Sequence, residues 1–170
     1  MSIKHKDFNN EILDDSFILL SVLKDEYILL EYFINYYERL GVTHFIFIDN
    51  NSSDGSFEYL LDKKDTNMML FKNTGSYKSS NLGVIWIEEL LLQYCKDKWC
   101  LTIDIDELLY IGGEDDNRST PLYQRSTPLY QLRENMIKQK SNVLLTMLLD
   151  MYSIDECKYT KGENFLDHCS

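Results

Sequence analysis

Proline and glycine are scarce. Two Pro and seven Gly in 170 residues exclude a collagen-like repeat and argue against a disordered tract. The four cysteines, Cys95, Cys100, Cys157 and Cys169, contain no CxxC pair, and with His5, His44 and His168 they make no zinc spacing. Reduced thiols and a cytoplasmic setting are expected. Bases are few as well: 17 Lys and Arg stand against 28 Asp and Glu, a formal net charge of −11. A nucleic-acid groove needs a basic stripe to displace counterions, and none is present. Anionic membranes should repel most of this surface. No apolar run approaches the ~18 residues of a membrane span. The opening "MSIKHKDFNNEILDD" lacks the apolar centre of a signal peptide. An anionic small ligand would therefore need a local cation, either a metal or a few placed lysines.

Apolar residues make up 44% of the chain, with 12 Tyr and 8 Phe, enough for the core of a single domain over 1–170. Residues 16–23, "SFILLSVL", read as a buried strand. In the next stretch Leu30, Phe33, Ile34, Tyr37 and Leu40 recur at helical spacing, and Gly41 is placed to end that helix. "THFIFID" (43–49) follows as a second apolar strand, "FEYLLDKK" (57–64) as a short helix and "MMLFK" (68–72) as a third strand. A helix over 81–96 and a strand over 98–104 complete the alternation. Strands that are apolar throughout and alternate with helices predict βαβ units, an α/β fold with a Rossmann-like, mostly parallel sheet flanked by helices. After residue 109 the pattern weakens. "RSTPLYQ" occurs twice, at 118–124 and 125–131, too few copies for a solenoid and best read as a tandem duplication in a surface loop. A helix over 128–140 and a strand over 142–152 are expected next.

In open α/β sheets ligands bind beyond the carboxyl ends of the strands. Three polar clusters fall there: "KDE" (24–26), "DNNSSDG" (49–55) and "DIDE" (104–107). If the extended form persists, Asp104 and Asp106 point to one side of their strand. Two such carboxylates suit Mg²⁺ or Mn²⁺, which complete their coordination with water and substrate phosphates. The ion would hold a diphosphate. Asp49 is placed to accept hydrogen bonds from a base or ribose, whereas Asp54 suits a turn and helix cap. Lys72 and Lys78 flank the loop after the third strand, within reach of a diphosphate or simply at the surface. His44, Trp86 and Trp99 read as packed residues.

"KDEYILLEYFINYYERLGVTHFIFIDNNSSDGSFEYLL", then "NTG", then "WCLTIDIDELL", resembles the family 2-like glycosyltransferases of the GT-A fold, in the bacterial branch linked to surface polysaccharide biosynthesis. The resemblance covers residues 16–109 in order and spacing and makes that stretch the nucleotide-sugar-binding part, with 110–170 a partial acceptor side. It implies a nucleotide-sugar donor, a divalent metal (Mn²⁺ or Mg²⁺), a glycan or lipid-linked acceptor and inversion at the anomeric carbon. By this resemblance Lys24, Asp25, Glu26 and Asp49 contact the nucleoside, Asp104 lies near the ribose and diphosphate, and Asp106 binds the metal; Glu107 matches the acid that commonly follows in this branch, and its place beside the metal residue suggests a supporting role. Lys78 is added to the donor site from its position. No base is assigned; Asp150 and Asp155 qualify by position alone. The chain ends early against such proteins, so a C-terminal truncation is expected, with a non-catalytic nucleotide-sugar-binding remnant as the alternative. A phosphotransferase of the haloacid-dehalogenase type fits less well, because its DxD belongs on the first core strand and Leu108 stands where Thr or Val is usual.

Overall fold

The computed structural model describes residues 3–111, 127–144 and 146. Strands β1 (Ile3–Lys6), β2 (Phe17–Leu23), β3 (His44–Asp49), β4 (Met68–Lys72) and β5 (Trp99–Thr102) form one sheet in the order β1-β4-β3-β2-β5. The pairs β4–β3, β3–β2 and β2–β5 are parallel, and β1 runs antiparallel to β4. The helices are α1 (Tyr27–Leu40), α2 (Ser56–Asp62), α3 (Val84–Tyr94) and α4 (Pro128–Lys138).

Strand alternation sorts the core into two layers. Leu19, Phe45, Phe47 and Leu70 pack with Leu30, Phe33 and Tyr37 of α1, Phe57 and Leu60 of α2, and Leu129 of α4. Ile18, Leu20, Ile46, Ile48 and Phe71 pack on the opposite face with Trp86 and Leu90 of α3. All six residues of β3 are buried, as expected of a central strand covered on both faces. Gly41 ends α1 at φ 114, a left-handed conformation that favours glycine, and its N–H bonds back to the Tyr37 and Glu38 carbonyls.

From β2 the chain steps through α1 to β3 and through α2 to β4, always in one direction. It then returns across the opposite face through α3 and lays β5 on the far side of β2. Right-handed crossovers make this change of face the consequence of the change of direction. The direction of winding reverses between β2 and β5, so the carboxyl ends of these strands flank a topological switch point.

Several expected boundaries differ. The polar start contains β1, which the sequence reading left without structure; its pairing with β4 supplies what its own pattern does not. Helix α3 begins at Val84 rather than 81, because Asn81, Leu82 and Gly83 are all left-handed, at φ 53, 56 and 82. Strand β5 stops at Thr102 rather than 104, and its last tie to β2 is the bond from the Ile103 N–H to the Leu20 carbonyl. Helix α4 lies where expected, with Thr127 as N-cap and Pro128 in the first turn. Residues 141–144 are in no regular element, and the rest of the strand expected over 142–152 lies outside the described residues, as do Asp150, Asp155 and most of the duplicated heptapeptide. His44 is packed, with Phe8 set edge-on to its ring at 5.0 Å, and burial pushes its pKa below the ordinary value. Trp86 is buried, and Trp99 packs against Phe17 at 6.0 Å.

Candidate functional site

Strand β2 runs three residues beyond Leu20, the residue to which β5 makes its last bond. This mismatch leaves a crevice of about 180 Å³ at the switch point, lined by Ser21, Val22, Ile87, Thr102, Asp104 and Glu107 among others. A wider groove of about 650 Å³ lies open along α2 between Tyr27 and Lys63, but it contains none of the acids that follow β5. The switch-point crevice is the better candidate, because converging polar groups rather than volume mark a site.

The acids after β5 sit in a turn. The Glu107 N–H bonds to the Asp104 carbonyl at 3.1 Å, which makes Asp104 the first and Asp106 the third residue of the turn. The extended form on which strand alternation would bring the two carboxylates together is therefore absent. They are nevertheless close enough to repel: burial, and then the charge of Asp106, raise the pKa of Asp104 above its ordinary value. Glu26, at the start of α1, joins the same field. Burial raises its pKa first, followed by the charges of Asp106, Asp54, Asp25 and Asp104. The "KDE" and "DIDE" clusters thus flank the same switch point, near enough for the second to act on the charge of Glu26.

Nothing positive answers these charges within the described residues, where no ion pair involves Glu26, Asp104, Asp106 or Glu107. Lys24 and Lys78 are exposed. Lys72 is turned the other way, its Nζ 4.3 Å from the centre of the Phe57 ring. Among the described residues no three His, Cys, Asp or Glu side chains are grouped for a metal. Two uncompensated carboxylates are what a divalent ion needs when phosphate oxygens and water supply the remaining ligands, so the donor set fits Mg²⁺ or Mn²⁺.

The neighbouring edge is closed on itself. Asp54 Oδ2 accepts the Tyr27 N–H at 2.8 Å, and its Oδ1 accepts the Ser56 N–H at 2.9 Å and the Ser56 hydroxyl at 2.6 Å. One carboxylate thereby caps the starts of both α1 and α2. The Glu26 N–H bonds to Ser56 Oγ, and the Asp25 N–H bonds to Ser52 Oγ. Asp25 Oδ1 in turn accepts from the Ser53 N–H at 2.6 Å and the Ser53 hydroxyl at 3.1 Å. Partial desolvation works against the charge of Asp54, but the bonds from Ser56 and Tyr27 outweigh it and hold its pKa below the ordinary value. Asp49 is fully buried and accepts the Ser52 N–H at 3.1 Å, one strand away from the crevice. The structure therefore places Asp104 and Asp106 in one turn beside the crevice, within the field that Glu26 feels, and encloses Asp49 and part of Asp25 in the adjoining turn.

Two features were not singled out from sequence. Ser21 is 1% exposed, lines the crevice, and its Oγ has no hydrogen-bond partner. Its signal was a hydroxyl inside the apolar run "FILLSVL". Tyr36 and Tyr37 reach across to the segment that carries the acids. Tyr37 stood on the apolar face of α1 and read as core, although a buried phenol needs a partner for its hydroxyl. Fold and site together define an α/β protein with a mixed five-stranded sheet and an acid-lined crevice at its switch point. No family model, curated protein or solved structure matches the chain, and among the described residues no helix is long and apolar enough to cross a membrane.

Proposed function

We propose that the chain is a GT-A type glycosyltransferase, which binds a nucleotide-sugar together with Mn²⁺ or Mg²⁺ at the switch point and transfers the sugar, with inversion, to a hydroxyl of a glycan or lipid-linked acceptor. One observation carries this reading: Asp104 and Glu107 line the crevice at the carboxyl ends of β2 and β5, Asp106 lies in the same turn, and no cationic side chain is paired to any of them among the described residues.

Asp106 and Asp104 are the residues to hold the ion. When bound, the ion supplies the charge that stabilises a leaving diphosphate. Glu26 and the remaining acceptor capacity of Asp25 suit the hydroxyls of a nucleoside, because carboxylates accept from diols. Asp49 has acceptor capacity beyond its bond to Ser52 but is fully buried, so it can serve the nucleoside only if the turn above it opens. Lys24 and Lys78 are exposed and available to phosphate oxygens. The apolar walls of the crevice, Val22 and Ile87, exclude water from one side of whatever enters.

Thermal shift with UDP-, GDP- and CMP-sugars, each with and without Mn²⁺, tests the proposal. A ligand present at 100 times its dissociation constant should stabilise the fold by about 2.7 kcal/mol. The shift is expected for one nucleotide class, only with the metal, and not in Asp106→Ala. If no nucleotide moves the melting point when the metal is present, the reading is wrong. Transfer or hydrolysis of the responding donor, assayed beside the same variant, then separates turnover from binding alone.

A further inference from the structure

Beyond Ile103 the chain leaves the sheet, and the acid turn loses the ladder that would fix it. Between residues 104 and 111 the only described backbone–backbone bond is the one that closes the turn, from the Glu107 N–H to the Asp104 carbonyl. The remaining polar anchors come from two adjacent side chains of α1. The Tyr37 hydroxyl donates to the Glu107 carbonyl at 3.1 Å and accepts the Leu109 N–H at 2.8 Å. The Tyr36 hydroxyl donates to the Leu109 carbonyl at 2.9 Å. Tyr37 is fully buried, and its ring is set against Phe33 at 4.7 Å and Tyr36 at 5.3 Å, so its hydroxyl has little freedom to move. Burial drives its pKa well above the ordinary value for a phenol, which keeps it a neutral donor.

This clamp acts where the chain most needs one. Asp104 and Asp106 are the first and third residues of a single turn, so two like charges are held close together. An untethered turn would relax by moving the carboxylates apart, and a ligand would then have to reassemble them. A fixed turn removes that cost before binding. Ser21, with its unpartnered Oγ, lines the same crevice and is a second sign that this space is built for a ligand.

We infer that Tyr37 is a positioning residue for the proposed cation site: through Glu107 and Leu109 its hydroxyl holds the Asp104–Glu107 turn in the geometry that receives a divalent ion. The inference rests on the proposed metal-dependent reading and is tested with the metal alone. Mn²⁺ binding is followed by electron paramagnetic resonance on wild type, Tyr37→Phe, Tyr36→Phe and Ile46→Val. Ile46 is buried in the opposite core layer, and its truncation should lower stability by an amount of the same order as the loss of the two hydrogen bonds that Tyr37→Phe removes. Tyr37→Phe is expected to weaken Mn²⁺ binding about tenfold and Tyr36→Phe by about threefold, while Ile46→Val leaves it unchanged. A purely structural role for the phenol predicts instead that Tyr37→Phe and Ile46→Val behave alike, and that result overturns the inference without touching the proposed function. If wild type binds no Mn²⁺, the inference falls, while the proposed function stands or falls on the nucleotide-sugar titration with metal present. If Tyr37→Phe does not fold, Tyr36→Phe decides: unchanged affinity there overturns the clamp.

Discussion

Two adjoining rims of the same sheet use the same residue type in opposite ways. At the carboxyl ends of β2 and β3, Asp25, Asp49 and Asp54 are consumed by backbone N–H groups and serine hydroxyls, and the two loops are joined to each other. Across β2, at the end of β5, Asp104 and Asp106 have no such donors among the described residues, and the charge of Asp106 raises the pKa of Asp104. An aspartate beside a helix start meets unpaired N–H groups and becomes a cap. An aspartate in a turn whose donors are already used stays a free acceptor. The difference is one of supply of donors, not of residue type, and it separates the scaffold from the candidate site.

The largest expected break in this comparison is Asp54→Ala. It removes the acceptor for three hydrogen bonds and uncaps two helices, and should cost about 2 kcal/mol in urea unfolding. Asp106→Ala, which removes a repelling charge, should leave the metal-free protein unchanged or slightly more stable. Equal losses for the two variants would erase the distinction.

The pH dependence should carry opposite signs at the two rims. Asp54 lies below its ordinary 3.8, so its contribution to stability is complete above that value and is lost as pH falls through the depressed pKa. Glu26 and Asp104 lie above their ordinary 4.5 and 3.8, so their contribution is complete below those values and is lost as pH rises through the raised ones. Urea midpoints measured between roughly pH 2.5 and 7 for Asp54→Asn should therefore show a smaller loss on the acid side. Those for Glu26→Gln should show a smaller loss on the rising side, together with a gain near neutrality of about 0.5 kcal/mol, modest because solvent screens the charges. Mn²⁺ should remove the rising-side loss in wild type.

The smallest expected effect is the sharpest test of the open rim. Ser21→Ala removes a buried hydroxyl that bonds to nothing, so stability should stay within about 0.5 kcal/mol of wild type. Weaker binding of the responding nucleotide-sugar in the same variant would place Ser21 among the ligand contacts; a loss of stability of the size seen for Asp54→Ala would make it a structural residue instead.

Much of the scaffold was legible because its elements are long and periodic. The apolar runs of β2, β3 and β4 and the helical spacing of Leu30, Phe33, Ile34 and Tyr37 announce their states without reference to the rest of the chain. Strand β1 was not legible, because a four-residue polar strand is defined by its partner β4 rather than by its own pattern. The expected pairing of Asp104 with Asp106 by strand alternation did not survive the end of β5 at Thr102, yet a turn keeps the two acids within three residues of each other at the crevice. Asp54 was recognised as a cap from its neighbours. That it caps a second helix 27 residues away in the chain was not, since the Tyr27 N–H reaches it only after both loops are folded.

By itself the sequence determined an α/β alternation, two cores' worth of buried apolar faces and an acidic rim, because burial patterns and local charge are properties of neighbouring residues. Only the tertiary structure decided that winding reverses between β2 and β5, which acids are spent on N–H groups and which are left open, and that Tyr37 spans from α1 to the acid turn. Those outcomes depend on contacts between residues tens of positions apart, and no local pattern encodes which distant donor will arrive.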